Sequence, residues 1–158
     1  MDESYELKIA SESDFEKWLD FADSVRKDFY DINLKNNTNY RSVIEKNIKR
    51  KTAIIAEDKE KIIGAMTYSM HSKHISWLAV SEKCRRKGIG TALVRCFFSK
   101  FNDDDVLMVK TFTESDNSGE RAHAFYRKNG FIAEEIEADL DGNNDGHPFQ
   151  IFRSYIRK

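Results

Sequence analysis

Proline, cysteine and long apolar runs are scarce in this 158-residue chain, which has one proline and two cysteines. So little proline excludes collagen-like and proline-rich low-complexity classes. The two cysteines, Cys84 and Cys96, are too few for a disulfide framework and too far apart for a zinc knuckle, so we expect a reducing compartment. No uncharged apolar run approaches the roughly 18 residues of a membrane span. The acidic residues 1–4 are not followed by the apolar segment of a secretion signal. These absences predict a cytoplasmic protein without a membrane anchor.

An excess of charge of either sign is also missing. Lys plus Arg number 26 against 27 Asp plus Glu, a formal net charge of -1. A neutral surface has no global field that would hold nucleic acid or an anionic membrane, so we expect neither as a partner. The length and the 40% hydrophobic content predict one globular domain over residues 1–158.

Hydrophobic periodicity predicts an alternation of strands and helices. The first strand is expected at residues 6–10, followed by a helix from Ser11 and a second helix that Thr38 caps and that runs to about Lys51. Two strand-like runs joined by a short polar turn, 52–56 and 62–68, read as an antiparallel hairpin. The remaining elements are strands at 74–80, 106–109, 131–138 and 149–155, and helices at 88–101 and 120–129, the last ending at Gly130.

One predicted strand ends at Val80 and leads through a basic loop with two glycines into a helix. A helix start exposes unpaired backbone N–H groups and the positive end of the helix dipole, which together favour a pyrophosphate. Gly88 and Gly90 let a phosphate approach the backbone, and charge is added by Arg85, Arg86 and Lys87. The order of lysine and glycines does not fit a Walker A loop, and Leu93 stands where a dinucleotide fingerprint needs a third glycine or alanine.

Two stretches resemble the signatures of one family, the Gcn5-related N-acetyltransferases (GNAT). Arg85-x-x-Gly88-x-Gly90, after a Leu78-x-Val80 strand, is similar to the family's acetyl-CoA-binding motif. Phe125-Tyr126-Arg127-Lys128-Asn129-Gly130-Phe131 looks like its second signature, an aromatic helix end followed by Gly-Phe. Both occur in the expected order, within residues 75–131.

The resemblance implies an α/β fold with a mixed, mostly antiparallel central sheet, flanked by helices, whose parallel fourth and fifth strands splay apart. It implies acetyl-CoA as the cofactor, with its pantetheine arm between those strands. By the same resemblance, the pantetheine and acetyl carbonyl meet the strand at Leu78, Ala79 and Val80. The pyrophosphate meets the loop and helix start at Arg85, Arg86, Lys87, Gly88, Ile89, Gly90 and Thr91.

One position departs from the family pattern. The family often has asparagine three residues before an alanine of the fourth helix, whereas Gly119 precedes Ala122 here. Asn117 lies nearby and is our candidate for the pantetheine contact; the alternative is that the contact is missing. Lys128 occupies a position that in relatives approaches the adenosine phosphate, and a solvated lysine is the alternative.

Tyr126 is the candidate general acid, again by resemblance. A phenol with a pKa near 10 stays protonated at neutral pH and can donate to a departing thiolate. The alternative is that Phe125 and Tyr126 are core aromatics. No general base is assigned: ionisable residues near the motifs are His71, His74, Glu82 and His123, and a water chain would also serve.

Two further chemistries receive weak support. Cys84 beside two arginines has the setting of a nucleophile, but a packing role is the preferred interpretation; Cys96 falls on an apolar helix face and is expected in the core. Asp141, Asn143 and Asp145 resemble the start of a calcium loop without its final glutamate, so we predict no metal and a solvated turn that would at most attract a cationic acceptor.

The sequence therefore predicts an N-acetyltransferase that moves an acetyl group from acetyl-CoA to a primary amine of a small molecule or peptide in a ternary complex. The alternative is a non-catalytic acetyl-CoA-binding sensor. A nucleic-acid-binding role for the basic loop is disfavoured by the neutral charge balance. Homodimerisation through the terminal strands is open.

Overall fold

The structure, a computed structural model, describes residues 5–142, 144 and 146–155. Its sheet has seven strands in the order β1-β2-β3-β4-β5-β7-β6. In chain order the strands are β1 Glu6–Ile9, β2 Ala53–Asp58, β3 Lys61–Ser69, β4 His74–Val80, β5 Leu107–Phe112, β6 Ile132–Glu137 and β7 Phe149–Ser154. The helices are α1 Phe15–Ser24, α2 Thr38–Arg50, α3 Ile89–Phe98 and α4 Gly119–Lys128.

The predicted mixed sheet is confirmed. Only β4 and β5 pair in parallel, and the other neighbouring strands described are antiparallel. The cap of α2 differs from the prediction: Thr38 is the first helical residue, and the side chain of Asn37 accepts a hydrogen bond from the backbone N–H of Tyr40 at 2.8 Å. Asparagine caps well because its short carbonyl reaches the orphan N–H groups of the first turn.

Two apolar layers cover the two faces of the sheet. On one face α1 and α2 bury Trp18, Phe21 and Ile44 against β2 and β3. On the other face α3 and α4 bury a second cluster that includes Leu93, Phe97 and residues of β4, β5 and β7. In the described part of the chain, no helix has the length and apolar character needed to cross a bilayer.

An extra residue in β4 interrupts its register with β3. Thr67 pairs with Trp77 and Tyr68 with Ile75, so Ser76 is a bulge, and its hydroxyl lies 2.7 Å from that of Thr67. As a result Ile75 faces the α3/α4 layer while Trp77 faces the α1/α2 layer. A bulge bends its strand. The parallel pairing with β5 comprises only His74–Met108 and Ile75–Val109, after which the two strands separate.

Candidate functional site

The gap between β4 and β5 opens into a cleft of about 1010 Å³. One side of the cleft, the glycine-loop arm, contains Arg85, Arg86, the first turn of α3 and the facing side of α4. The other side, the aromatic arm, is walled by Phe29, Tyr30, Tyr40, Trp77, Phe112 and Phe149. The separation of the two strands therefore connects a phosphate-type loop with an apolar wall.

The glycine-loop arm is shaped by backbone conformation. Arg86 (φ +71°) and Gly88 (φ +80°) both lie in the left-handed region, which turns the chain sharply into α3. The space around a Cβ built on Gly88 is open to 4 Å. The N–H groups at the start of α3 have no acceptor inside the helix and carry its positive dipole end, so this arm can hold an anion.

The structure explains Gly90 by helix packing, whereas the motif indicated a phosphate contact. A Cβ at this position would lie 2.8 Å from Cε1 of Phe125. The missing side chain therefore lets α3 and α4 approach closely, with the Phe125 ring over the first turn of α3. The same glycine pattern thus serves helix packing as well as an open loop.

Most residues predicted from the sequence line this cleft. The cleft is lined by Leu78, Ala79, Val80, Arg85, Arg86, Gly88, Ile89, Gly90, Thr91, Tyr126 and Lys128. Lys87 and Asn117 do not appear among the described lining residues.

Gly119 explains why asparagine is displaced. A Cβ on Gly119 would lie 1.9 Å from the carbonyl oxygen of Thr113, so no side chain fits while the loop keeps this path. The Gly119 N–H donates to the carbonyl of Asp116 at 2.7 Å and closes the turn before α4. Asn117 has a left-handed backbone (φ +48°), and its amide donates to the carbonyl of Asp28 at 2.6 Å. In this structure Asn117 ties two loops together.

Asp28 is at the centre of the contacts between these two loops. Its carboxylate pairs with Arg85 and, at 2.8 Å, with Arg121 of α4. Ser118 lies 3.4 Å from the same carboxylate. The side chain of Asp28 is 19% exposed, so the two guanidinium groups meet a partly buried counter-charge. Arg85, which the motif assigned to phosphate, is here the partner of a carboxylate.

Tyr126 lies in the α4 wall of the cleft and is 6% exposed. Its ring contacts those of Phe125 and Phe131 edge-on, with centroids 5.0 and 5.7 Å apart. Burial raises the pKa of the Tyr126 phenol above its ordinary value because the charged form loses its hydration. The phenol therefore stays protonated at neutral pH.

The aromatic arm is the part of the site that the sequence did not predict. The Phe29 ring stacks on Trp77 at 5.1 Å and 21°, and it also contacts Phe112 at 6.0 Å. Tyr30 packs edge-on against Phe112 at 5.2 Å, and its hydroxyl donates to Asp116 at 2.9 Å. These rings come from segments far apart in the chain, so no contiguous motif marks them.

The other ionisable residues near the motifs lie in different environments. Burial, and then the charge of Lys110, lower the pKa of His74. Nε2 of His123 lies 2.9 Å from the carbonyl of Phe112, and the residue is buried, which makes it part of the packing. Glu82 and Cys84 line the cleft on the turn after β4. Cys96 is partly buried against the α3/α4 core, as expected.

The acidic loop before β7 is partly outside the described residues, which omit Asn143 and Asp145. In the described part, the Asp139 carboxylate accepts hydrogen bonds from the backbone N–H groups of Asn144 and Gly146 at 3.0 and 2.7 Å. These bonds hold a turn. Residues 5–142, 144 and 146–155 contain no cluster of His, Cys, Asp or Glu with the arrangement of a metal site.

Comparison with known proteins points to one family. The acetyltransferase (GNAT) domain family matches residues 49–133. An uncharacterized protein of Bacillus subtilis (strain 168), YdhI, is 34% identical over 71 residues, which cover 45% of this chain and only 43% of that protein. The fold is similar to that of a GNAT-family acetyltransferase from Bacillus cereus ATCC 10987 (TM-score 0.71, 23% identity, 98% of this chain and 99% of that one). It is also similar to Naa50 of Arabidopsis thaliana in complex with a CoA bisubstrate analogue (TM-score 0.71, 17% identity, 97% and 99% covered).

Proposed function

Because the chain belongs to the GNAT acetyltransferase family, we propose that it transfers an acetyl group from acetyl-CoA to a primary amine held in the same cleft. One observation carries the proposal: β4 and β5 separate after Ile75 and Val109, directly between the glycine loop and a second, aromatic arm. A site for two substrates at once needs both arms and an opening between them.

The glycine-loop arm is assigned to the acyl donor. The start of α3 lines the cleft with N–H groups that lack an acceptor inside the helix, the space around a Cβ at Gly88 is open, and Arg86 lines the cleft beside them. This arrangement suits a pyrophosphate. Acetyl-CoA as the cosubstrate agrees with the family and with the CoA conjugate bound to the Arabidopsis relative.

The open edge of β4 is assigned to the acyl group. Beyond Ile75, the backbone groups that would face β5 have lost their strand partner in the described sheet. Backbone groups of Leu78 and Val80 on that edge can therefore bond the pantetheine and the carbonyl at the reacting carbon. An N–H group placed there stabilises the oxyanion that forms when the amine attacks, because charge develops on that oxygen in the transition state.

Tyr126 is assigned to the leaving group. When the tetrahedral adduct collapses, the C–S bond breaks and the sulfur takes the electron pair. The neutral phenol in the α4 wall donates its proton to that sulfur, which yields the CoA thiol, and the proton that the attacking nitrogen loses restores the phenol through water. A phenol is protonated at neutral pH, which is the state that this step requires.

The test is continuous detection of thiol release from acetyl-CoA with a panel of primary amines and peptides. We expect at least one amine to raise the rate well above the rate without acceptor, with the N-acetyl product identified by mass spectrometry. Binding of acetyl-CoA without turnover of any amine would contradict the enzyme proposal and favour the cofactor-sensing alternative.

A further inference from the structure

The aromatic arm contains a continuous series of ring contacts. Tyr40 contacts Trp77 at 5.7 Å, Trp77 stacks on Phe29, and Phe29 contacts Phe112. All of these rings are half-buried and line the cleft. Ile32 and Leu34 extend the same wall. A ligand that enters this arm therefore meets mainly apolar surface.

The bulge at Ser76 places this surface at the opening between the strands. Trp77 is the residue directly after the bulge, and it faces the α1/α2 layer just beyond the last β4–β5 pair at Ile75. Phe112 lies at the end of β5, on the other side of the gap. The rings thus flank the position where the acyl carbon has to lie if the proposed function is correct.

The carboxylates nearest the aromatic arm already have partners. Among the described lining residues the carboxylates are those of Asp28 and Glu82. Asp28 is paired with Arg85 and Arg121, and Glu82 lies on the turn after β4, in the other arm. Nearby Asp116 accepts the Tyr30 hydroxyl, and its carboxylate lies 2.9 Å from Nδ1 of His147.

The cation of this wall is paired as well. Lys110 of β5 lines the cleft, and its ammonium pairs with Glu137 at 2.8 Å, so neither group of that pair offers a counter-charge to a ligand. A polyamine or an aminoglycoside that entered the aromatic arm would leave its additional ammonium groups without partners, and burying unpaired charge is costly. An acceptor with one amine on an apolar body would bury that body against the rings instead.

We infer that the acceptor is a primary amine carried by an apolar, aromatic or large aliphatic, body, and that Trp77 and Phe112 determine this specificity. The inference rests on the proposed function. Two sources share this chemistry: a free arylalkylamine and the amino terminus of a peptide that begins with a large apolar residue.

The experiment compares kcat/KM for matched acceptors. 2-Phenylethylamine and a peptide with N-terminal phenylalanine represent the two sources; spermidine and the same peptide with N-terminal serine are their counterparts. We expect each apolar acceptor to exceed its counterpart by about tenfold or more, the gain typical of burying one ring. The better of the two apolar acceptors identifies the source.

Variants test the residues. Trp77→Leu is expected to raise KM for the apolar acceptor by about tenfold with kcat nearly unchanged, because uniform binding is lost. Phe112→Leu repeats the test from the opposite strand in case Trp77→Leu fails to fold. Trp77→Phe should restore most of the affinity, and Phe98→Leu, in α3 outside the described cleft lining, should leave KM as it is.

Each outcome separates the inference from the proposed function. Preference for spermidine, or an unchanged KM in both leucine variants, overturns the inference and leaves the acetyltransferase proposal standing. Turnover of another amine of the panel, but of neither apolar acceptor, likewise overturns the inference alone. Binding of acetyl-CoA with turnover of no amine in the whole panel overturns both.

Discussion

The two arms of the cleft are built from different materials. The glycine-loop arm consists largely of backbone, a left-handed turn at Arg86 and Gly88 followed by the start of α3. The aromatic arm consists of side chains from distant segments, including Phe29 at the end of a short 3-10 turn and Trp77 after a bulge. A phosphate is recognised by main-chain groups that any sequence carries, whereas an amine body is recognised by rings that can be exchanged. The first arm is therefore suited to a constant ligand and the second to a variable one.

The largest effect on stability is expected in the loop before α4, which contacts both arms. Gly119→Ala places a Cβ 1.9 Å from the Thr113 carbonyl, and this oxygen is backbone and cannot move aside alone. We expect the free energy of unfolding to fall by about 3 kcal/mol, measured by urea denaturation. The loop carries Asp116 to Tyr30 and Ser118 to Asp28, so affinity for CoA and for the acceptor should fall together.

Glu120→Ala, on the exposed side of the same helix turn, is the matched control and should unfold like the wild type. A Gly119→Ala variant as stable as this control would show that the loop is not held against α4.

Tyr126→Phe separates the arms by kinetics. It removes the proposed proton donor and retains the buried ring, so we expect kcat to fall about 100-fold. The Kd for acetyl-CoA and the KM for the amine should change little. Tyr68→Phe, a change at a tyrosine buried to a similar degree (4% exposed) outside the cleft lining, is the control. An unchanged kcat would remove Tyr126 from the mechanism.

Asp28→Asn tests the ion pairs that Asp28 forms with two arginines of the glycine-loop arm. With the carboxylate neutral, Arg85 and Arg121 lose their counter-charge and are available to phosphates. We expect CoA to bind about fivefold more tightly at low salt, with the gain shrinking as salt rises, measured by titration calorimetry. Asp23→Asn, which affects an Arg26 pair on the neighbouring helix end, should have no effect. Weaker CoA binding would mean that Asp28 positions the arginines for the ligand.

The smallest effect concerns His74, at the base of the gap. Its pKa is lowered in the folded state by burial and by Lys110, so the unfolded chain binds its proton more tightly. Stability is therefore retained above the ordinary histidine pKa of about 6.5 and is lost as pH falls below it. Between pH 7.5 and 5.5 the wild type should lose about 2 °C more in Tm than His74→Val. Equal losses, or the same difference in an exposed-site His71→Val control, would contradict this assignment.

The sequence predicted one arm and missed the other for a physical reason. Leu78 to Thr91 is contiguous, so strand, turn and helix start are visible together, and the fold that the motif implied is confirmed by the β4–β5 pairing. The aromatic arm forms only when remote segments meet. Each of its rings, taken alone in the sequence, resembles an ordinary core residue.

Close contacts between elements also cannot be predicted from a sequence motif. The motif attributes Gly90 to a phosphate, but its proximity to Phe125 depends on how α3 and α4 pack. The family pattern often has asparagine at the position of Gly119. The structure shows that the Thr113 carbonyl oxygen leaves no room for a side chain there, and that Asn117 donates to the carbonyl of Asp28.

The bulge at Ser76 makes the shape of the site depend on the number of residues in β4. Without this residue, Ile75 and Trp77 would be consecutive and would keep their partners Tyr68 and Thr67, and the bend that a bulge gives its strand would be lost. Deletions are usually tolerated in loops and harmful in strands because of lost stability. Here we expect deletion of Ser76 to make the β3–β4 pairing regular and to narrow the opening beside β5, so that regular structure is gained at the expense of the site.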